Sequence, residues 1–150
     1  MRNKRHWLFL LVLIATALRF QGLFANSFHA DEALFASWAR LIGVWRDPLL
    51  QSQVVDKPPL LFYVQALFYP LLATPAPWVA RLPGLVASLL LVPLTGRLVW
   101  ELYRDTLATV AAAAFVALSP FTIQFSATAF TDPLLVTLLV SAMVGQSVGI

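Results

Sequence analysis

No cysteine occurs in these 150 residues, and charged side chains make up only 11% of them. The first absence excludes disulfides and thiolate metal sites. The second excludes an ordinary soluble domain, where about 25% of residues are charged and about 45–50% are apolar. Internal repeats, low-complexity tracts and a soluble-domain segment are missing too. What remains is 60% hydrophobic with a mean hydropathy of +0.81, the composition of an integral membrane protein. The net charge of +3 rests on few groups. Arg2, Lys4 and Arg5 stand at the N-terminus, where they read as a topology signal. One short basic cluster offers too little phosphate-binding surface for nucleic acid, so the expected surroundings are membrane lipids and no nucleic acid.

Four apolar segments approach the ~20 residues that cross a ~30 Å hydrocarbon core: 7–24, 83–100, 107–125 and 133–150. The predicted fold class is all-α, a polytopic membrane helix bundle. The stretch 60–73 differs. It lies between Pro58-Pro59 and Pro75, and Pro70 interrupts it. Proline removes a donor and clashes with the preceding turn, so this stretch predicts a re-entrant or short span. The first segment has the basic start and apolar core of a signal peptide. Arg19 follows that core, however, and no small-x-small cleavage site precedes Asp31, so an uncleaved anchor is expected. The last segment stays apolar to Ile150, without the polar flank that usually ends a membrane helix. That pattern predicts the N-terminal part of a longer protein.

Charge sets the expected topology. Arg2, Lys4 and Arg5 place the N-terminus in the cytoplasm, and Arg97 and Arg104 mark the turn at 101–105 as cytoplasmic. The segment 25–82 then begins and ends outside, with 60–73 dipping in and returning. Asp132 falls on the outer face with Asp31 and Asp56. If 60–73 spans instead, Asp132 moves to the cytoplasm. Residues 31–45 form an amphipathic piece in the first outer loop, and Trp38 and Trp45 suit a helix lying in the interface. The expected location is the plasma (inner) membrane, multi-pass.

The polar residues are few enough to weigh singly. Asp31 and Glu32 are adjacent acids just past the first span. They read either as a helix cap beside a solvated acid or as a general base for an acceptor hydroxyl. Asp56-Lys57-Pro58-Pro59 reads as a polar turn whose prolines start a helix. Alternatively, Lys57 holds an anionic phosphate and Asp56 ligates a divalent metal through oxygen. His29 is a surface residue, a metal ligand or a proton carrier. Arg19 and Arg81, at predicted helix ends, either snorkel to the headgroups or clamp the phosphate of a lipid carrier. Asp132 caps the last helix before Pro133 or completes a polar site near the membrane surface.

In order along the chain stand Asp31-Glu32-Ala33, Ala39-Arg40, Lys57-Pro58-Pro59-Leu60, Ala80-Arg81-Leu82-Pro83, Ser119-Pro120 and Asp132-Pro133. This ordered set resembles the N-terminal module of the C-type (GT-C fold) glycosyltransferases. The branch resembled holds the dolichyl-phosphate-mannose protein mannosyltransferases and the lipid A aminoarabinose transferases. The resemblance implies a polyprenyl-phosphate sugar as donor and a protein, lipid or glycan as acceptor on the outer face. It implies Asp31 as catalytic base, with Glu32 beside it, and Lys57, Arg81 and Arg19 around the donor phosphate. Arg40, His29 and Asp132 would line the site, and Asp56 sits where some members place an acidic metal ligand. Leu34 occupies a position where the aminoarabinose transferases carry arginine, which argues against that acceptor. Members are several times longer, so this segment alone is expected to be inactive. The competing expectation is a non-enzymatic small membrane protein, a transporter subunit or scaffold. A transporter should show broken helices with polar residues near mid-membrane, and the central spans here hold few.

Overall fold

The computed structural model describes residues 2–24, 27–69 and 76–147, with side chains from His6 onward. Among them are seven α-helices, one 3-10 turn and no strand. The helices are α1 (Arg2–Phe20), α2 (Ala30–Gly43), α3 (Leu60–Ala66), α4 (Pro77–Tyr103), α5 (Thr106–Leu118), α6 (Pro120–Ser126) and α7 (Asp132–Ser147), and the 3-10 turn Gln21–Leu23 ends α1. The fold class is all-α, as the sequence predicts. Two helical stretches, His6–Leu23 and Pro77–Tyr103, are long and apolar enough to cross a membrane. α7 is apolar but shorter, at 16 residues.

Three predicted spans have different bounds in the structure. α4 begins at Pro77, not Pro83, and runs unbroken through Pro83 and Pro93. Pro77 at the first turn withholds an N–H that has no intrahelical partner anyway. The interior prolines each remove one hydrogen bond, but Val79, Ala80 and Val92 beside them are fully buried, so packing holds the helix together. The predicted span 107–125 is two helices, α5 and α6, bent by 54°. Ser119 is extended at φ −60°, ψ 122°, and Pro120 has no N–H to continue the ladder. In the stretch 60–73, the described part is the seven-residue α3 and a following turn. A seven-residue helix is only about 10 Å long. Pro70 and the rest of that stretch lie outside the described residues, as do 148–150 of the predicted fourth span.

The bundle's centre is where α1, α4 and α5 meet. Ala15, Val92, Ala113 and Ala117 are each 0% exposed there. Small side chains let helix backbones approach closely where lipid, not water, surrounds them. A Cβ on Gly96 would stand 3.0 Å from Leu8 and 3.5 Å from Ala113. The start of α1 therefore packs near the end of α4, where Arg97 and Arg104 both pair with Glu101. Arg81 lies 20 residues earlier on the same helix, about 30 Å away along its axis.

At that opposite end α2 packs on α3 through rings. Trp38 and Phe62 lie edge to face at 4.8 Å between centroids, and Phe35 sits 5.4 Å from Phe62. Here the expectation for Trp38 is corrected. It does not lie in a lipid interface but is 3% exposed inside this aromatic cluster. Trp45 remains exposed, with the Arg40 guanidinium 5.1 Å above its ring. The apolar face of α2 is spent on protein because α3 and α4 present matching apolar surface.

Candidate functional site

The start of α2 is built by a reciprocal cap. His29 is the N-cap residue, extended at φ −63°, ψ 155°, and its Nδ1 accepts the Asp31 N–H at 3.4 Å. Glu32, three residues on, reaches back to accept the His29 N–H at 3.1 Å. This is the capping-box arrangement with histidine in the usual serine position. Asp31, the acid that sequence reasoning offered as a cap, is not the cap. It is left facing solvent in the first turn, where a carboxylate also suits the helix dipole.

Glu32 does more than cap. It is 3% exposed, and its Oε1 and Oε2 accept from Arg81 Nε at 3.1 Å and Nη2 at 2.9 Å. Oε1 also accepts the Ala129 N–H at 2.8 Å. Burial pushes the Glu32 carboxyl up, but the Arg81 hydrogen bonds, the Ala129 and His29 N–H groups and the Arg81 charge outweigh it. The net result holds Glu32 below the ordinary glutamate range, so it is an ion. Arg81 spends further N–H groups on the carbonyls of Leu23 (3.4 Å) and Ser27 (3.2 Å), and its guanidinium lies 5.4 Å from the Phe28 ring. One carboxylate and one guanidinium thus tie together the α1–α2 connection, α2, α4 and the α6–α7 connection. Gly84, one turn past Arg81, makes this possible. A Cβ there would come within 2.5 Å of the Thr128 carbonyl, so only glycine lets that connection lie so close on α4.

Beside this pair is a cavity of about 430 Å³, lined by Ser27, Phe28, His29, Glu32, Arg81, Gln124, Phe125, Thr128 and Phe130 among others. Asp31 is not in that lining; its carboxylate is 62% exposed and lies 3.6 Å from Nδ1 of His29, which is. A second cavity, about 330 Å³, is mostly apolar, walled by Leu91, Phe121, Phe125 and Val136, with Ser88, Thr122 and Asp132 also present. Phe125 borders both. α6 therefore contributes side chains both to a cavity of mixed polarity, the more polar of the two, and to a mostly apolar one.

The structure brings together His29, Asp31, Glu32 and Arg81. It does not bring the remaining predicted site residues to them. Lys57 pairs with Asp56 at 3.2 Å, both exposed, away from the cavity lining. Arg40 covers Trp45. Asp132 belongs to the second cavity, although Ala129, three residues before it, touches Glu32. The environments expected for the two arginines are corrected. Neither Arg19 (0% exposed) nor Arg81 (3%) reaches toward headgroups. Among the described residues no three His, Cys, Asp or Glu side chains gather to hold a metal. Asp56, the candidate ligand, has Lys57 as its charged neighbour at 3.2 Å.

Sequence reasoning missed Gln124, Ser27, Thr128 and the Ala129 N–H. Gln124 carried a usable signal as the one amide in the apolar run 107–125. The Ala129 N–H carried none, because a backbone group is invisible in residue type. No protein-family model matches the chain, and no curated protein or solved structure matches it. Fold and composition define its class as an all-helical membrane protein with two helices long and apolar enough to span.

Proposed function

We propose that the chain is part of a glycosyltransferase that moves a sugar from a polyprenyl phosphate to a protein, lipid or glycan acceptor. The observation that carries this reading is Asp31. It is a solvent-facing carboxylate on a backbone locked by the buried Glu32–Arg81 pair, in contact with His29, which lines a cavity of mixed polarity that shares Phe125 with a mostly apolar one. In this reaction Asp31 takes the acceptor's hydroxyl proton as that oxygen attacks the anomeric carbon. The carbon–oxygen bond to phosphate breaks, and polyprenyl phosphate leaves. Glu32 does not share the chemistry, since all its accepting capacity is directed at protein donors. The test is transfer from polyprenyl-phosphate sugars in membranes carrying the whole protein. Asp31→Asn should lower the rate about 10²–10⁴-fold, the usual contribution of a general base. Wild-type rates in the variant would return Asp31 to a helix-end acid.

We further propose that the N-terminus is cytoplasmic and this site faces outward. Support comes from the packing of Leu8 on Gly96, which puts the basic N-terminal end of α1 beside Arg97 and Arg104. Basic residues concentrate on the cytoplasmic side. The native lack of cysteine allows single cysteines at Ser27, Thr106 and Thr131. An impermeant thiol reagent should label Ser27 and Thr131 on intact cells, and Thr106 only after lysis. Labelling of Ser27 and Thr131 from opposite sides would overturn this topology.

A further inference from the structure

Arg19 has an environment that its position at a span's end did not foretell. It is 0% exposed, and among the described residues no carboxylate pairs with it. A guanidinium carries five N–H donors, and each is given to a neutral acceptor. Nε donates to Ser88 Oγ at 2.9 Å. Nη1 donates to the carbonyls of Ala15 at 3.3 Å and Ala117 at 2.8 Å. Nη2 donates to the Val116 carbonyl at 2.9 Å and Thr122 Oγ1 at 3.1 Å.

Two of those acceptors are the carbonyls that the α5–α6 break leaves without their usual donors. In an unbroken helix the Val116 carbonyl would take the N–H of residue 120, but that residue is Pro120, which has none. The Ala117 carbonyl would take the N–H of Phe121, but extended Ser119 turns the chain away. In a membrane interior no water replaces these donors, and each unsatisfied group is costly. The last carbonyls of α5 also carry the negative end of its helix dipole, which favours a cation. Thr122 Oγ1 also donates to the Val116 carbonyl, at 2.7 Å, and Arg19 supplies the second donor there and the donor to Ala117, while the carbonyls supply the partial negative charge that a missing carboxylate would have given.

We infer that Arg19 is the brace that holds the 106–126 segment in its broken form, and through it a positioning residue for α6. α6 carries Gln124 and Phe125 to the more polar cavity, and Phe121, Thr122 and Phe125 to the mostly apolar one. What those cavities bind rests on the transfer reading above. The brace does not, because it follows from the break and its donors alone.

The test couples Arg19 to Pro120 in the whole protein. Cysteines placed at Ser27 and Gln124 line one cavity, so a short bifunctional thiol reagent should join them in the otherwise wild-type protein. Arg19→Met should reduce that cross-link roughly tenfold or more, given that several hydrogen bonds to a charged group are lost at once. Arg19→Lys, with three donors for five acceptors, should fall between. Arg19→Met should also reduce the amount of protein recovered from membranes. Adding Pro120→Ala restores an N–H at position 120, so Arg19→Met/Pro120→Ala should recover wild-type abundance while the cross-link stays lost, because the segment has straightened. An undiminished cross-link in Arg19→Met overturns the inference. So does a loss of abundance that Pro120→Ala fails to relieve. Both readouts are independent of sugar transfer, so an inactive wild-type protein would count against the proposed function and leave the brace standing.

Discussion

Arg19 and Arg81 are both buried arginines in helices of one bundle, yet they are stabilised by opposite means. Arg81 is matched by a full charge, the bidentate Glu32 carboxylate at 2.9 and 3.1 Å. Arg19 is matched by partial charges alone, three carbonyls and two hydroxyls. The contrast follows their surroundings. Arg81 lies at the end of α4 where loops converge, and a carboxylate can be brought there on α2. Arg19 lies against α4 and α5, where its acceptors are the Ser88 hydroxyl and the carbonyls that a broken helix exposes. A buried guanidinium thus demands satisfied donors in every case and a counter-ion only in some.

The largest effect should come from depriving Arg81 of its counter-ion. Glu32→Ala leaves a buried charge uncompensated, a change that costs about 3–5 kcal/mol when a buried pair loses one member. Thermal unfolding in detergent should show a corresponding fall. Replacing both members, Glu32→Ala with Arg81→Met, should recover much of that loss, because two apolar residues leave no orphaned charge. If the double variant is as unstable as the single, charge is not what makes Arg81 differ from Arg19.

A smaller effect separates the two arginines by pH. Glu32 is held below its ordinary range, so its protonation is opposed by the fold. The stability it contributes is fully present above the unfolded glutamate pKa of about 4.3 and is lost as pH falls through the lower folded value. Acid titration of the unfolding temperature should show this loss in the wild type and in Arg19→Met, and a weaker one in Glu32→Gln. No such component belongs to Arg19, whose partners do not titrate there. A titration unchanged by Glu32→Gln would break the comparison.

The smallest effect should be at Asp56. Its pairing with Lys57 is exposed on both sides, and surface pairs contribute about 0–1 kcal/mol. Asp56→Ala should leave the unfolding temperature almost unmoved. A loss comparable to that of Glu32→Ala would mean that burial does not set the ranking.

Much of the fold was legible in the sequence because lipid leaves composition few choices. The all-α class and the helical character of the described parts of the apolar segments followed from runs of apolar residues. The errors share a cause, which is that the deciding partner lies far away in sequence. Pro83 looked like a helix start because its local clash is visible and its packing is not. Glu32 did not read as a buried acid because Arg81 stands 49 residues away. Trp38 looked interfacial because Phe62 could not be placed against it. Asp31 kept its prominence for the opposite reason. Its exposure follows from local helix geometry once His29 takes the cap.

The carboxylate of Glu32 also has a place in time. Its donors His29, Arg81 and Ala129 are separated from it by 3, 49 and 97 residues. At about 5–20 residues per second, Glu32 emerges from the ribosome roughly 2–10 s before Arg81 follows it, and about twice that before Ala129 does. During that interval the acid has only its own helix end for company. The pair that anchors the finished bundle therefore cannot guide the entry of α1 and α2. It can form only after α4 has been made, and the third donor arrives once the α6–α7 connection has been added.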